Sequence, residues 1–354
     1  MKNIAILFGG QSAEHEISII SARNIFKAID TNLFKPTLIG ISRTGCFYTI
    51  SPKLMETVTQ IDDETNSEKH LVNFTRYPDR TEIDGEKIDS AFSIIHGQSG
   101  EDGIIPGFCE AYNLPYVGCN TLSSAICMDK EMTKLISIHN DIPTTPFIAF
   151  NEQNIPKYED CAKKLKSPFF MKIANLGSSI GVYKIKSEQD YDEKIKTIWK
   201  FGTKVLVEAA VPNPQEIEIA IFESDNKVMA SDVLGEIKPN HEFYTYEAKY
   251  LDPNGADLIV PANVNEDIVS KIKEMGIKIF KAFHCNGLAR IDFLVNGEEV
   301  FFNEINTLPG FTNISMYPTL FQKSGMTYSE LITKLIESSF TKKKIDIDGM
   351  MREC

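Results

Sequence analysis

Two short apolar runs within Ala289–Pro318 flank Asn296-Gly297, a pattern that predicts a β-hairpin. Side chains alternate along a strand, so the loop length decides whether Asp292 and Glu304 share a face. A two-residue loop centred on Asn296-Gly297 puts them on opposite faces. A three-residue loop, Val295-Asn296-Gly297 with Gly297 left-handed, puts them together with Asn306 and leaves Ile291, Phe293, Phe301 and Ile305 for a core. The three-residue loop is the expectation, because it sorts carboxylates from hydrocarbon in one step.

Earlier in the chain, Asn3–Phe8 reads as a buried strand ending in Gly9-Gly10, and a helix follows with Ile17, Ser21, Ile25 and Ile29 on one side. Strand, glycine turn and helix predict a doubly wound α/β opening. Tyr48–Lys87 is polar and turn-rich and reads as surface structure; Ala91–Ile95 is a further strand before His96-Gly97. Asp129 can cap a helix carrying Met132, Leu135 and Ile136. Pro168–Lys172 and Gly181–Ile185 read as neighbouring strands around the loop Asn175–Ser179. Ser187 caps the next helix, Val205–Glu208 is a strand, and Val211–Gln215 is a connector. Strands at Ile217–Phe222 and Val228–Leu234 precede a long loop, Gly235–Gly255. A helix starts at Asn265, and Thr327…Glu330 forms a capping box for the last one. The expected domains are 1–125, 126–212 and 213–354.

At 354 residues, with 42% hydrophobic and 24% charged residues, the chain is an ordinary globular sequence with room for two or three domains. Its net charge of −12 disfavours nucleic acid or an anionic membrane as a general partner. Seven cysteines, an odd number without a C-x-x-C pair, predict reduced thiols and a cytoplasmic setting rather than a disulfide frame or zinc site. No run approaches the ~18 apolar residues that cross a bilayer.

Asp292, Glu304 and Asn306 offer oxygen ligands suited to a hard cation such as Mg2+. Scattered acids on a sheet face are more often solvated, but Arg290 and the turn Leu308-Pro309-Gly310 add a cation and a backbone N–H beside them. Lys130 and Lys172 flank apolar residues, and the loop Gly177-Ser178-Ser179-Ile180-Gly181 after Lys172 has the composition of a phosphate cradle. Neither G-x-G-x-x-G nor G-x-x-x-x-G-K-[ST] is present, which argues against dinucleotide and P-loop sites. Glu14 follows the first strand, where α/β sheets place ligands, although a helix-start acid favoured by the dipole reads the same way.

The segments F-G-G-Q-S-A-E-H-E-I-S (Phe8–Ser18), H-G-Q-S-G-E-D-G (His96–Gly103), M-D-K (Met128–Lys130), N-L-G-S-S-I-G (Asn175–Gly181), Y-E-A-K-Y (Tyr246–Tyr250) and Ala289–Pro318 occur in this order. Together they resemble the D-alanine–D-alanine ligases of the ATP-grasp superfamily, from Ile4 to about Ser338. The resemblance implies an N-terminal parallel-sheet domain followed by a two-lobed ATP-grasp fold. It also implies an ATP-dependent ligase that makes D-alanyl-D-alanine for peptidoglycan through an acyl phosphate, usually as a homodimer. By the same resemblance, Lys130 and Lys172 hold the α- and β-phosphates beneath the loop containing Ser178 and Ser179. Glu208 lies near adenine, Glu216 (chosen over Glu218) on the ribose, and Lys249 at the γ-phosphate. Two Mg2+ or Mn2+ ions sit on Asp292, Glu304 and Asn306. Glu14 takes the first D-alanine's ammonium, His96 contacts substrate, and Tyr250, Ser178 and Glu14 latch a lid that also carries Tyr244, Tyr246 and Glu247. Arg290 and the Gly310 N–H face the oxyanion, while Ser315 and the Met316 backbone hold the second carboxylate. The chain has S-M-Y-P at Ser315–Pro318 where related D-lactate and D-serine ligases carry S-R-Y-P, which favours alanine in the second position. Ile173 stands where the family usually has Pro.

Overall fold

The computed structural model describes residues 1–178, 180–225, 227–240 and 255–341. Its first sheet is built on β1 (Lys2–Gly9), seven of whose eight residues are buried. After α1 (His15–Ala28) comes β2 (Phe34–Ile41), paired parallel to β1. Pro36 interrupts the alternation that would have announced β2 in the sequence. Antiparallel β3 (Phe47–Ile50) and β4 (Lys69–Leu71) extend this edge, with α2 (Pro52–Thr57) between them. A small sheet of β5 (Phe74–Arg76), β6 (Thr81–Ile83) and β7 (Glu86–Ile88) follows, and β8 (Ser90–Ser93) returns to pair parallel with β1 on its other side. The polar stretch after Tyr48 is therefore not mere surface: Tyr48, Ile50 and Ile83 on short strands, Met55 on α2 and Ile61 in a loop are all buried, in elements too short to show a period.

Helices cover both faces of the first sheet. Ile4, Ile6 and Phe8 pack against Ile19, Ala22 and Ile25 of α1, while Ala5 and Leu7 pack with Ile105 and Cys109 of α3 (Ile104–Ala111). Of the expected stripe on α1, Ser21, Ile25 and Ile29 are buried and Ile17 is left half-buried; Ile19 and Ala22 join the buried side.

After α4 (Thr121–Met128), Asp129 accepts from the N–H groups of Glu131 and Met132 and caps α5 (Lys130–His139), as its position predicts. The buried face of α5 is polar, however: Thr133, Lys134 and Ser137 point inward, and Met132 and Leu135 are exposed. A second, antiparallel sheet contains β9 (Phe147–Phe150), β10 (Phe169–Ile173), β11 (Tyr183–Ile185) and β12 (Val205–Ala209), in the order β11-β10-β12-β9. It packs on α6 (Tyr158–Leu165) and on α7 (Glu188–Ile198), which is capped by a Ser187/Asp190 box.

The third sheet joins β13 (Gln215–Ser224), β14 (Lys227–Ala230), β15 (Gly235–Pro239), β16 (Ala256–Ile259), β17 (Leu288–Asn296) and β18 (Glu299–Asn306). On one face Ile217, Ile219, Ile291 and Phe293 pack with Ile272 and Ile279 of α8 (Glu266–Ala282). Helices α9 (Met316–Lys323) and α10 (Tyr328–Thr341) complete the described chain. Thr327 and Glu330 form the expected box before α10. This last helix packs on the first sheet, its Leu331, Ile332, Leu335 and Ile336 sharing a core with Ile4, Ile6 and Phe8. Ser339 Oγ and Ser90 Oγ lie 2.7 Å apart at the join.

The β17–β18 hairpin corrects the expected loop. Asn296 pairs with Glu299, so the loop is the two residues Gly297 and Glu298, with Gly297 at φ 61°. Asp292 and Glu304 still share a face, because the register shifts beyond Phe293↔Phe302 and leaves Asn303 unpaired, giving Asp292↔Glu304. The two-residue loop itself, ahead of the bulge, turns Phe302 and Val300 into the core in place of Phe301.

Candidate active site

The face of the third sheet opposite α8 is where polar residues gather. Glu218 pairs across the ladder with Asp292, and Asp292 with Glu304; Arg290 pairs with Asn306. Alternation makes these five side chains neighbours on one surface. Arg290 grips Asp292 with two bonds, Nε to Oδ1 at 2.8 Å and Nη2 to Oδ2 at 2.7 Å, and its Nε lies 3.1 Å from Glu218 Oε2. Glu304 Oε2 lies 3.9 Å from Lys130 Nζ, and Asn306 Oδ1 accepts from the Leu308 N–H at 3.0 Å. Two carboxylates and an amide make an oxygen-only donor set, the type that holds Mg2+ with the remaining positions left to water or phosphate. Among the described residues no group of three or more His, Cys, Asp or Glu side chains forms a fuller cage.

Lys130 opens α5. Its N–H donates to Ala174 O at 2.8 Å and its ammonium to Leu176 O at 2.8 Å, which ties the helix start to the glycine-serine loop. Ser178 on that loop is left-handed, at φ 55°. Lys172 on β10 forms an ion pair with Glu208 on β12, two residues diagonal across the ladder. Glu208 is also bonded by Lys134 Nζ at 2.8 Å and Thr145 Oγ1 at 3.0 Å. Burial pushes the Glu208 carboxyl up, but the two lysine charges outweigh it and hold it well below the usual carboxylate range.

From the first sheet, Glu14 stands at the N-cap of α1 without capping it by its side chain, and is 8% exposed. His96, after β8, is buried; its Nδ1 lies 3.7 Å from Glu101 Oε1 and its Nε2 3.3 Å from Ser21 Oγ. Burial disfavours the His96 cation, yet Glu101, Glu14 and the Leu308 backbone together raise its pKa. Burial likewise raises Glu101, which His96 only partly offsets.

The second-substrate residues predicted from sequence cluster at the start of α9. Ser315 Oγ accepts from the Thr312 N–H at 2.9 Å, and a Cβ on Gly310 would come within 2.7 Å of that hydroxyl. Met316 packs its thioether against Gly235 and is buried at the edge of the cleft.

One cleft of about 490 Å3 is lined by Glu14, His96, Lys130, Ser178, Arg290, Glu304, Asn306, Gly310, Ser315 and Met316. Glu218 and Glu101 line it too. Lys172 and Glu208 lie on the second sheet, Asp292 behind Arg290, and Glu216 on β13 two residues from Glu218; none of these four lines the cleft. Ser179, Tyr244, Tyr246, Glu247, Lys249 and Tyr250 lie outside the described residues. Lys134, Glu101 and Glu218 were not assigned from sequence. The signal for Lys134 was its place one helical turn after Lys130, and for Glu218 its even spacing from Glu216.

Sequence profiles described as "D-ala D-ala ligase N-terminus" and "D-ala D-ala ligase C-terminus" match residues 3–119 and 136–337. The chain belongs to the D-alanine–D-alanine ligase family. It is 40% identical to the D-alanine–D-alanine ligase of Caldicellulosiruptor bescii over 96% of both chains. Its fold matches the D-alanine-D-alanine ligase from Coxiella burnetii with a TM-score of 0.83 at 30% identity, over 99% of this chain and 95% of that one. It also matches the VanG D-Ala:D-Ser ligase from Enterococcus faecalis at 0.84 and 31% identity, over 96% and 99%. As a D-alanine–D-alanine ligase it is an ATP-dependent enzyme that forms D-alanyl-D-alanine. Among the described residues no helix is long and apolar enough to cross a membrane.

Proposed function

We propose that this ligase carries out both half-reactions in the cleft where the three sheets meet, with the residues assigned below. The observation that supports this is the lining itself: Glu14 and His96 come from the first sheet's loops, Lys130 and Ser178 from the second region, and Arg290, Glu304, Gly310 and Ser315 from the third. A carboxylate does not react with an amine in water at a useful rate, so its oxygen must first become a leaving group. Glu14 holds the first D-alanine by its ammonium and presents its carboxylate. Lys130 and Lys172 hold the ATP phosphates while the γ-phosphoryl passes to that carboxylate oxygen and ADP departs. Asp292, Glu304 and Asn306 hold Mg2+ (or Mn2+), which when bound offsets phosphate charge. Glu208 faces adenine and Glu216 the ribose.

The second D-alanine lies with its carboxylate at Ser315 and the N-terminus of α9, where free N–H groups favour an anion. Its amine attacks the acyl carbon, and Arg290 with the Gly310 N–H stabilises the oxyanion. Collapse expels phosphate and leaves the dipeptide. Ser178, Ser179, Lys249 and Tyr250 complete the phosphate and lid contacts in this reading, and the enzyme is a cytoplasmic homodimer.

Phosphate release from ATP with D-alanine and with L-alanine tests the reaction; release with L-alanine alone overturns it. The likeness to a D-Ala:D-Ser ligase gives a second reading of the acceptor, decided by competition between D-alanine, D-serine and D-lactate. Sedimentation tests the dimer.

A further inference from the structure

Lys134 is 2% exposed and has no part in the chemistry above. It stands one helical turn after Lys130, so both ammonium groups leave the same side of α5. Its Nζ reaches Thr144 Oγ1 at 3.0 Å, Thr145 Oγ1 at 2.8 Å and Glu208 Oε2 at 2.8 Å. Thr145 Oγ1 donates to the same carboxylate oxygen at 3.0 Å, while Lys172 takes the other oxygen. Among the described residues the charged groups facing Glu208 are these two lysines, one from β10 and one from α5; β9 brings only Phe147, whose ring Lys134 overlies at 5.7 Å.

We propose that Lys134 is a positioning residue that keeps Glu208 ionised once the nucleotide draws Lys172 to its phosphates, and so makes the site selective for a purine with an amino group at position 6. The inference rests on the reading above that Glu208 meets the base and Lys172 the phosphates. An ionised carboxylate only accepts hydrogen bonds, so it complements a 6-amino group and repels a 6-carbonyl. A protonated one also donates, and loses that discrimination. A buried carboxylate left without a cation takes up a proton. With Lys172 engaged elsewhere, the counter-charge must come from a group that cannot follow it. Lys134 is such a group, fixed by two threonine hydroxyls and out of reach of solvent. Burial lowers its own pKa and the Glu208 charge opposes that, so each member of the pair sustains the other's charge.

The test compares kcat/KM for ATP and for ITP, which differ at position 6, with saturating D-alanine from pH 6 to 8.5. The wild-type enzyme favours ATP with a KM that is flat across this range. Lys134→Met is expected to cut the ATP/ITP ratio about 10-fold, chiefly through KM for ATP, with that KM rising as the pH falls. Thr145→Val, close in shape, loosens the same pair and is expected to lower the ratio roughly 3-fold, which keeps the test alive if Lys134→Met does not fold. Glu208→Gln relaxes the ratio whatever Lys134 does. If Glu208→Gln relaxes it while Lys134→Met and Thr145→Val leave ratio and pH profile as in the wild type, Lys134 is merely structural and the proposal fails alone. If Glu208→Gln changes nothing, the placement of the base beside Glu208 fails, and this proposal with it.

Discussion

Asp292 lies directly across from Glu304 on the neighbouring strand, and it does so only because one extra residue, Asn303, is taken up in the ladder between them. Without that bulge the two-residue loop would send Glu304 to the apolar side of the sheet. Deleting Asn303 removes the unpaired residue and leaves Asp292 opposite Glu304 in a regular ladder, so dipeptide synthesis is expected to survive the deletion, with circular dichroism reporting a folded protein. Loss of activity in a folded deletion variant would show that the kink at Asn303, and not only the shared face, is needed.

Neutral substitution tests the same face more gently. Asp292→Asn and Glu304→Gln are each expected to lower kcat by about 100-fold or more, since each removes charge from the oxygen set that receives the cation. The measurement is phosphate release against Mg2+ concentration, which should also show a higher metal requirement.

Arg290 holds Asp292 by two parallel bonds and lies beside Glu218. A lysine has the charge but not the fork. Arg290→Lys is expected to remain folded and lose activity; Arg290→Met is expected to lose about 3 kcal/mol of stability as well, because it leaves two poorly solvated acids without their cation. Denaturant melts alongside turnover separate the two effects.

Gly310→Ala places a methyl group against the Ser315 hydroxyl, which Thr312 already pins. The expected result is a fall of about 10–100-fold in kcat/KM for the acceptor D-alanine with little change in melting temperature. An unchanged KM for the acceptor would place its carboxylate elsewhere.

His15 gives a pH dependence of stability. Its Nε2 accepts from the Ile61 N–H at 3.0 Å, so the Nδ1 near Gly10 O, at 2.8 Å, carries the proton and the ring is neutral. Burial lowers its pKa, only partly opposed by the Gly10 carbonyl. A histidine depressed in the fold contributes stability above its unfolded pKa of about 6.5 and loses it as the pH falls toward the folded value. Melting temperature should drop over that acidic window, and His15→Gln should flatten the drop.

What could be read from the residues alone differs from element to element. Capping residues were legible at Asp129, Ser187 and Thr327, because a cap is a local bond between neighbours in sequence. The apolar stripe of α5 was misjudged, since Met132 and Leu135 suggest a core while the helix buries Thr133, Lys134 and Ser137. Only tertiary context makes a polar face the inner one. Asp292, Glu304 and Asn306 were correctly placed on one face by the wrong turn, because a bulge and an extra loop residue have the same effect on side-chain parity. Glu14 and His96 could be singled out by their place after strands. That they share a cleft with Ser315, some 200 or more positions away, is decided by long-range packing that no local pattern carries.

The final helix lays its leucines and isoleucines on the strand with which the chain begins. A ribosome makes this strand and α1 long before the last helix, so the oily side that α1 covers only in part stays incompletely sealed until that helix has emerged. Truncation before Leu331 should therefore harm the first hundred residues more than the last hundred, and aggregation during synthesis should begin at the end of the molecule made earliest.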